Sequence, residues 1–163
     1  MISSLASISQ ARAAAERLLR FRPRSEQELR QRLRQKGFEA PIVETLVQEL
    51  ARKDLLNDQK FAQYVATNRL AMRPTGVRAL RDELRRKGVA APVAEAALAK
   101  ATVGYDEAAA ARELAQRRAG QMSGLPAATI QRRLFGLLQR RGFSGEVVHR
   151  VVREVVRTTG EAS

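Results

Sequence analysis

Apolar positions along this chain fall into a unit used three times. Leu29, Leu33 and Gly37 recur as Leu80, Leu84 and Gly88 and again as Leu134, Leu138 and Gly142, at spacings of 51 residues (37 to 88) and 54 (88 to 142). A basic residue precedes each glycine (Lys36, Lys87, Arg141) and an apolar one follows it (Phe38, Val89, Phe143). The i, i+4 leucines predict a helix with one apolar stripe, and the glycine sits where a helix ends in the left-handed region. The following apolar residue then folds back over the second leucine, as a Schellman ending requires. Ser25 and Glu28 have capping-box spacing and predict the start of the first of these helices.

A second helix follows each glycine. Pro41 and Pro92 suit the first turn of two of them, and Ser144 is the expected N-cap of the third. Their apolar faces are Ile42, Val43, Leu46 and Leu50, then Val93, Ala97 and Leu98, then Val147, Val148, Val151 and Val155. Third helices are expected over Gln59 to Ala71 and Ala108 to Arg118, and a leading helix over Ala11 to Phe21, its start boxed by Ser7 and Gln10. The third unit ends in a weak tail, Thr158 to Ser163, and lacks a third helix unless 107–121 docks onto it. Pro and Gly cluster near Arg73 to Gly76 and Gly120 to Pro126. The fold expected is all-α: an elongated tandem array of three-helix repeats, with 1–21 as leading segment and repeats at 22–72, 73–120 and 121–163. Stacked repeats of this kind present a surface to a partner.

Composition narrows the class. Aromatic residues make up 4 % of the 163, so stability is expected from many small interfaces. Cysteine is absent, which removes disulfides, thiol nucleophiles and zinc clusters together. No apolar run approaches the ~20 residues that cross a bilayer. Met1 to Gln10 lacks the basic start and apolar core of a secretory signal, so a cytosolic protein is expected, without a membrane partner.

The net charge of +13 is concentrated on the repeats, whereas the connecting segment 54–72 is balanced and 101–111 is acidic. At ~100° per residue, Arg78, Arg81 and Arg85 form a stripe about a quarter-turn from Val77, Leu80 and Leu84. Arg30 and Arg34 are the counterparts of Arg81 and Arg85 in the first unit, and the third unit carries Arg132, Arg133, Arg140 and Arg141. Lys36, Lys87 and Arg141 are accounted for by the C-terminal dipole of the helix before each glycine. A solvated face would account for the rest, but arginine is preferred over lysine where phosphate or carboxylate is gripped bidentately, so the stripe favours a polyanion or an acidic protein surface.

Enzyme readings fail on inventory. His149 is the sole histidine, in a Val-rich helix beside Arg150, and no serine or carboxylate at helical spacing makes a triad or metal set with it. Asp54, Asp58, Asp106 and Glu107 sit at turns before helices, where capping explains them. Gly120 and Gly124 lack the Lys-Ser/Thr of a phosphate loop. Neither catalytic, cofactor-binding nor metal-ligating residues are expected. Helix, glycine turn and helix over 25–50 also fit a helix-turn-helix, although its second helix offers Glu44, Thr45, Gln48 and Glu49, a poor set for base reading. Arg150, Arg153 and Arg157 make the third unit the one candidate for that alternative.

The segments Arg24-Ser25-Glu26-Gln27-Glu28-Leu29, Leu56-Asn57-Asp58-Gln59-Lys60-Phe61-Ala62, Gly76 to Gly88 and Leu138-Gln139-Arg140-Arg141-Gly142-Phe143 resemble the bacterial RecX family in order and spacing. The similarity covers roughly Ala11 to Arg157, with Ala79 standing where that family usually has a larger apolar residue. The resemblance implies a non-enzymatic, monomeric modulator that binds the RecA recombinase filament on single-stranded DNA, with double-stranded DNA as a further, non-specific contact, and lowers ATP hydrolysis and strand exchange. Joined to the charge pattern, it makes Arg30, Arg34, Arg73, Arg78, Arg81, Arg85, Arg132, Arg133 and Arg140 the candidate contacts. The alternative is an autonomous basic helical nucleic-acid binder, non-specific or of helix-turn-helix type.

Overall fold

Each glycine predicted to end a helix does so with both Schellman hydrogen bonds. In the computed structural model, which describes residues 2–161 and the side chains of 7–159, Gly37, Gly88 and Gly142 have φ of 90°, 77° and 78°. Phe38, Val89 and Phe143 donate their N–H to the carbonyls of Leu33, Leu84 and Leu138 at 3.3, 3.1 and 3.2 Å. The glycines donate to Arg34, Arg85 and Gln139 at 2.9, 3.0 and 3.0 Å. A side chain at this φ is strained, so glycine turns a helix here where other residues would not.

The helices are α1 (Ile2–Phe21), α2 (Glu26–Gln35), α3 (Ala40–Arg52), α4 (Asp58–Met72), α5 (Val77–Arg86), α6 (Ala91–Ala101), α7 (Glu107–Ala119), α8 (Ala127–Arg140) and α9 (Gly145–Glu161), with a 3₁₀ turn at Gly120–Met122. No strand occurs among the described residues. The leading helix begins at Ile2 instead of Ala11, so Ser7 and Gln10 lie inside it and not at its start. α7 packs against α8 and α9, so the segment 107–121 does dock onto the third unit.

Two compact units divide the chain: Met1–Val65 with Leu84–Ala97, and Ala66–Glu83 with Leu98–Ser163. In the first, Ala11, Ala14 and Ala15 of α1 bring that helix close to Leu29 and Leu33 of α2 and to Val43, Leu46, Val47 and Leu50 of α3. In the second, Ala111, Leu114 and Ala115 of α7 do the same against Ile130, Leu134 and Leu138 of α8 and the valines of α9. Alanine at the crossing positions allows close helix approach, while leucine and valine provide the buried area.

One joint recurs, once inside each unit. The start of α2 sits on the glycine turn after α5: the Ser25 hydroxyl donates to the Lys87 carbonyl at 2.5 Å, and Glu28 meets the Lys87 ammonium at 3.0 Å. Gly88 has no side chain because Gln27 fills that place, 2.4 Å from where a Cβ would be. The Asp58 carboxylate accepts from the Glu26 N–H at 2.9 Å. In the other unit the start of α5 sits on the turn after α8, with the Gly76 N–H donating to the Arg141 carbonyl at 2.9 Å and Ala79 lying against Gly142. The Glu107 carboxylate accepts from the Val77 N–H at 3.0 Å, and the Tyr105 hydroxyl donates to the Thr75 carbonyl at 2.7 Å. The small residue at position 79 is thus explained, since the glycine turn occupies the space a larger one would need.

The Ser25–Glu28 capping box forms as the spacing predicts, with the Glu28 N–H donating to the Ser25 hydroxyl at 3.0 Å. Burial alone would raise the Glu28 pKa, but hydrogen bonds and charge from Arg22 and Lys87 overcome it and hold the carboxyl at about 2. A carboxylate depressed in the folded state stabilises fully above its unfolded value and loses that contribution as pH falls towards 2. Glu28→Gln is therefore expected to cost about 1–2 kcal/mol at pH 7, a difference that shrinks between pH 4.5 and 2; thermal melts of both proteins across that range would read it.

Candidate polyanion interface

The basic residues do not share one fate. Arg30 is fully engaged within the first unit, its Nε 2.9 Å from Glu44 and its Nη2 3.2 Å from Glu26. The hydrogen bond that Arg30 donates to Glu44 raises the Arg30 pKa against the opposing effect of burial. Glu44 is fourteen residues away, on α3, so the pairing is a product of the fold. Arg34, one turn on, is exposed and makes no ion pair among the described residues. On α5, Arg78 donates to the Gln139 carbonyl at 3.0 Å at the end of α8. Arg81 and Arg85 are exposed, and neither is a free side chain.

Arg132, Arg133 and Arg140 are different. They project from α8, exposed and without ion pairs among the described residues, and together with Arg118, Met122, Gly136 and Leu137 they line a cavity of about 350 Å³. No acidic side chain lines it. Gly136 makes room for the Arg140 guanidinium, whose Nη1 would lie 3.0 Å from a Cβ there. Arg118 holds Gln121 at 3.1 Å through one Nη, on a side chain otherwise without a partner.

The field of this region is felt at Arg141. Its pKa is lowered, first by burial and then by like-charge repulsion from Arg73, Arg118 and Arg117. Arg117 keeps a 3.6 Å contact with Glu113, an exposed pair one helical turn apart that contributes little. Arg73, Arg117, Arg118 and Arg141 therefore add to the three arginines of α8 as a concentration of positive charge on the second unit. Such a surface attracts phosphate or carboxylate groups, and the apolar Met122 and Leu137 beside the guanidinium groups offer contact for a flat, weakly hydrated ligand part.

Of the arginines picked out in sequence, Arg132, Arg133 and Arg140 line this cavity, Arg73 acts on Arg141, Arg30 is tied to α3, and Arg34 stands on α2 of the first unit. Sequence reasoning missed Arg117 and Arg118. Their signal was a pair of arginines in the last turn of α7, which a helix dipole explains equally well. His149 stacks edge-on to Phe135, ring centroids 4.9 Å apart at 65°. On α9, Arg150, Arg153 and Arg157 alternate with Glu146 and Glu154, and Glu154 pairs with Arg112 at 3.0 Å. That helix is a mixed-charge surface.

Three consecutive three-helix domains, with arginines clustered on α7 and α8, define an all-α helical-repeat protein. Residues 11–50 match the first three-helix domain of RecX, 57–98 the second and 105–152 the third. The chain belongs to the RecX family. It is 38 % identical over 146 residues to the regulatory protein RecX of Amycolatopsis mediterranei, covering 90 % of this chain and 83 % of that one. The RecX of Chlorobium limicola is 30 % identical over 153 residues, 94 % of each chain. The crystal structure of RecX from Lactobacillus salivarius superposes with a TM-score of 0.76 at 21 % identity, over 93 % of this chain and 97 % of that one. The relatives are named as regulatory proteins, and no helix among the described residues is long and apolar enough to cross a membrane.

Proposed function

We propose that the protein regulates the RecA recombinase by binding its filament on single-stranded DNA and lowering ATP hydrolysis, filament growth and strand exchange. It acts as a monomer, without catalysis of its own, in the cytoplasm. The observation that carries the reading is the acid-free cavity of Arg118, Arg132, Arg133 and Arg140, backed by Arg73, Arg117 and Arg141. Phosphates of the DNA strand, or carboxylates of the recombinase, are the groups this chemistry selects. Membership of a family whose members are named as regulators supports a protein partner in addition to DNA. Arg34, Arg78, Arg81 and Arg85 are proposed as secondary contacts; Arg30, held by two glutamates, is assigned to the fold.

The test is DNA-dependent ATP hydrolysis by RecA at increasing amounts of this protein. Inhibition is expected well below the amount needed to coat the DNA, because a ligand of the filament acts at few sites. Inhibition that begins only at DNA-saturating protein and vanishes when DNA is in excess would instead establish the alternative, an autonomous nucleic-acid binder competing for phosphates.

A further inference from the structure

The joint that the chain uses twice has a third receptor, and it stands open. At the turns after α5 and α8, a helix start occupies the glycine surface and a hydrogen bond is donated to the carbonyl of the preceding basic residue. The turn after α2 has the same order of basic residue, glycine and apolar residue and the same two Schellman bonds. Among the described residues nothing lies within 4 Å of a Cβ placed on Gly37. Phe38 is only half-buried, whereas Val89 and Phe143 are 5 % and 1 % exposed. Among the described residues the Lys36 ammonium makes no ion pair, and the Lys36 carbonyl accepts no hydrogen bond of the kind that Lys87 and Arg141 accept.

We propose that the turn Lys36-Gly37-Phe38 is a docking site for the first turn of a helix from a partner protein. The occupant is specified by what the chain itself places at the equivalent turn. Ser25 and Glu28 engage Lys87 through hydroxyl to carbonyl and carboxylate to ammonium, so the partner helix carries Ser or Thr at its N-cap and Glu three residues later. The charges are complementary, since the turn presents Lys36 and Arg34 and the incoming glutamate is the group that Lys36 lacks. A second copy of this chain is a poor occupant. Its unengaged helix start is that of α8, where Pro126 caps without a side-chain hydrogen bond and Ile130 stands at the position equivalent to Ser25 and Gly76. This inference is independent of the recombinase reading, because it needs a partner helix and no DNA.

The probe is an acetylated peptide of residues 23–35, held helical by a side-chain staple on the face away from Ser25 and Glu28, titrated into the ¹⁵N-labelled full chain. Amide shifts are expected at 34–40, with the peptide carrying Ser25→Ala and Glu28→Gln binding about tenfold more weakly. Lys36→Glu in the protein should weaken the original peptide similarly, and because Lys36 is exposed this variant is expected to stay folded, its melting temperature lowered by no more than a few degrees through the unfavourable helix-dipole contact. Equal binding of both peptides, shifts confined to the turn at 87–89, or concentration-dependent self-association of the chain through 34–40 would each overturn the proposal.

Discussion

Alanine at position 76 is expected to lower the stability of the protein by about 3 kcal/mol, or about 6–12 °C in melting temperature for a chain of this length. A Cβ on Gly76 would lie 2.0 Å from the Gly142 carbonyl carbon and oxygen and 2.1 Å from the Phe143 nitrogen. All three are backbone atoms of a turn fixed by its own two hydrogen bonds, so no rotamer change relieves the overlap. The start of α5 must retreat, which breaks the Gly76 to Arg141 bond and leaves the Arg141 carbonyl without that partner. Gly120→Ala is the matched control. It has helical φ and open space around its Cβ, so it should be neutral or stabilising by about 0.5 kcal/mol. Equal melting temperatures for the two variants would mean that the joint between α5 and the turn after α8 is not formed in solution.

Reversing Arg132, Arg133 and Arg140 to glutamate is expected to weaken binding to single-stranded DNA by about 100-fold and abolish inhibition of the recombinase. Three charge-assisted contacts of about 1 kcal/mol each account for that factor. Replacing the same three by alanine should make the dependence of log affinity on log salt shallower by about 2, since each neutralised phosphate on a single strand contributes about 0.7. These arginines are exposed and make no ion pairs among the described residues, so the variants should melt like the parent. Arg30→Glu is the informative contrast. Its partners Glu26 and Glu44 would be left repelling, so stability should fall while any loss of DNA binding at low temperature stays small. An unchanged salt slope in the triple alanine variant would remove α8 from the interface.

What the sequence displayed was whatever is decided within about one helical turn. Ser25 with Glu28, Ser144 as a cap and the three Schellman glycines could all be read because both partners lie within a few residues, and the structure forms each of them. The interactions that escaped reading are those whose second partner lies far along the chain. Asp58 and Glu107 looked like caps of the helices they precede. Their carboxylates instead receive the N–H of Glu26 and of Val77, 32 and 30 residues away. Ser25 is both a local cap and the donor to Lys87, and nothing within its own helix announces the second task. The candidate interface was legible to the same degree. The α8 arginines were visible as a run without acids, whereas Arg118 joined them only because alanines let α7 approach α8 and α9.

The one-way character of the joint gives the chain a temporal order as it leaves the ribosome. The first turn of α2 is completed by Asp58 and Lys87, and that of α5 by Glu107 and Arg141. In both cases the completing residues are synthesised later. Each middle helix therefore emerges with an unfinished start and is sealed only after the following domain has appeared, so a nascent chain stalled before Arg141 would hold α2 secured and α5 still open to proteases or to a chaperone.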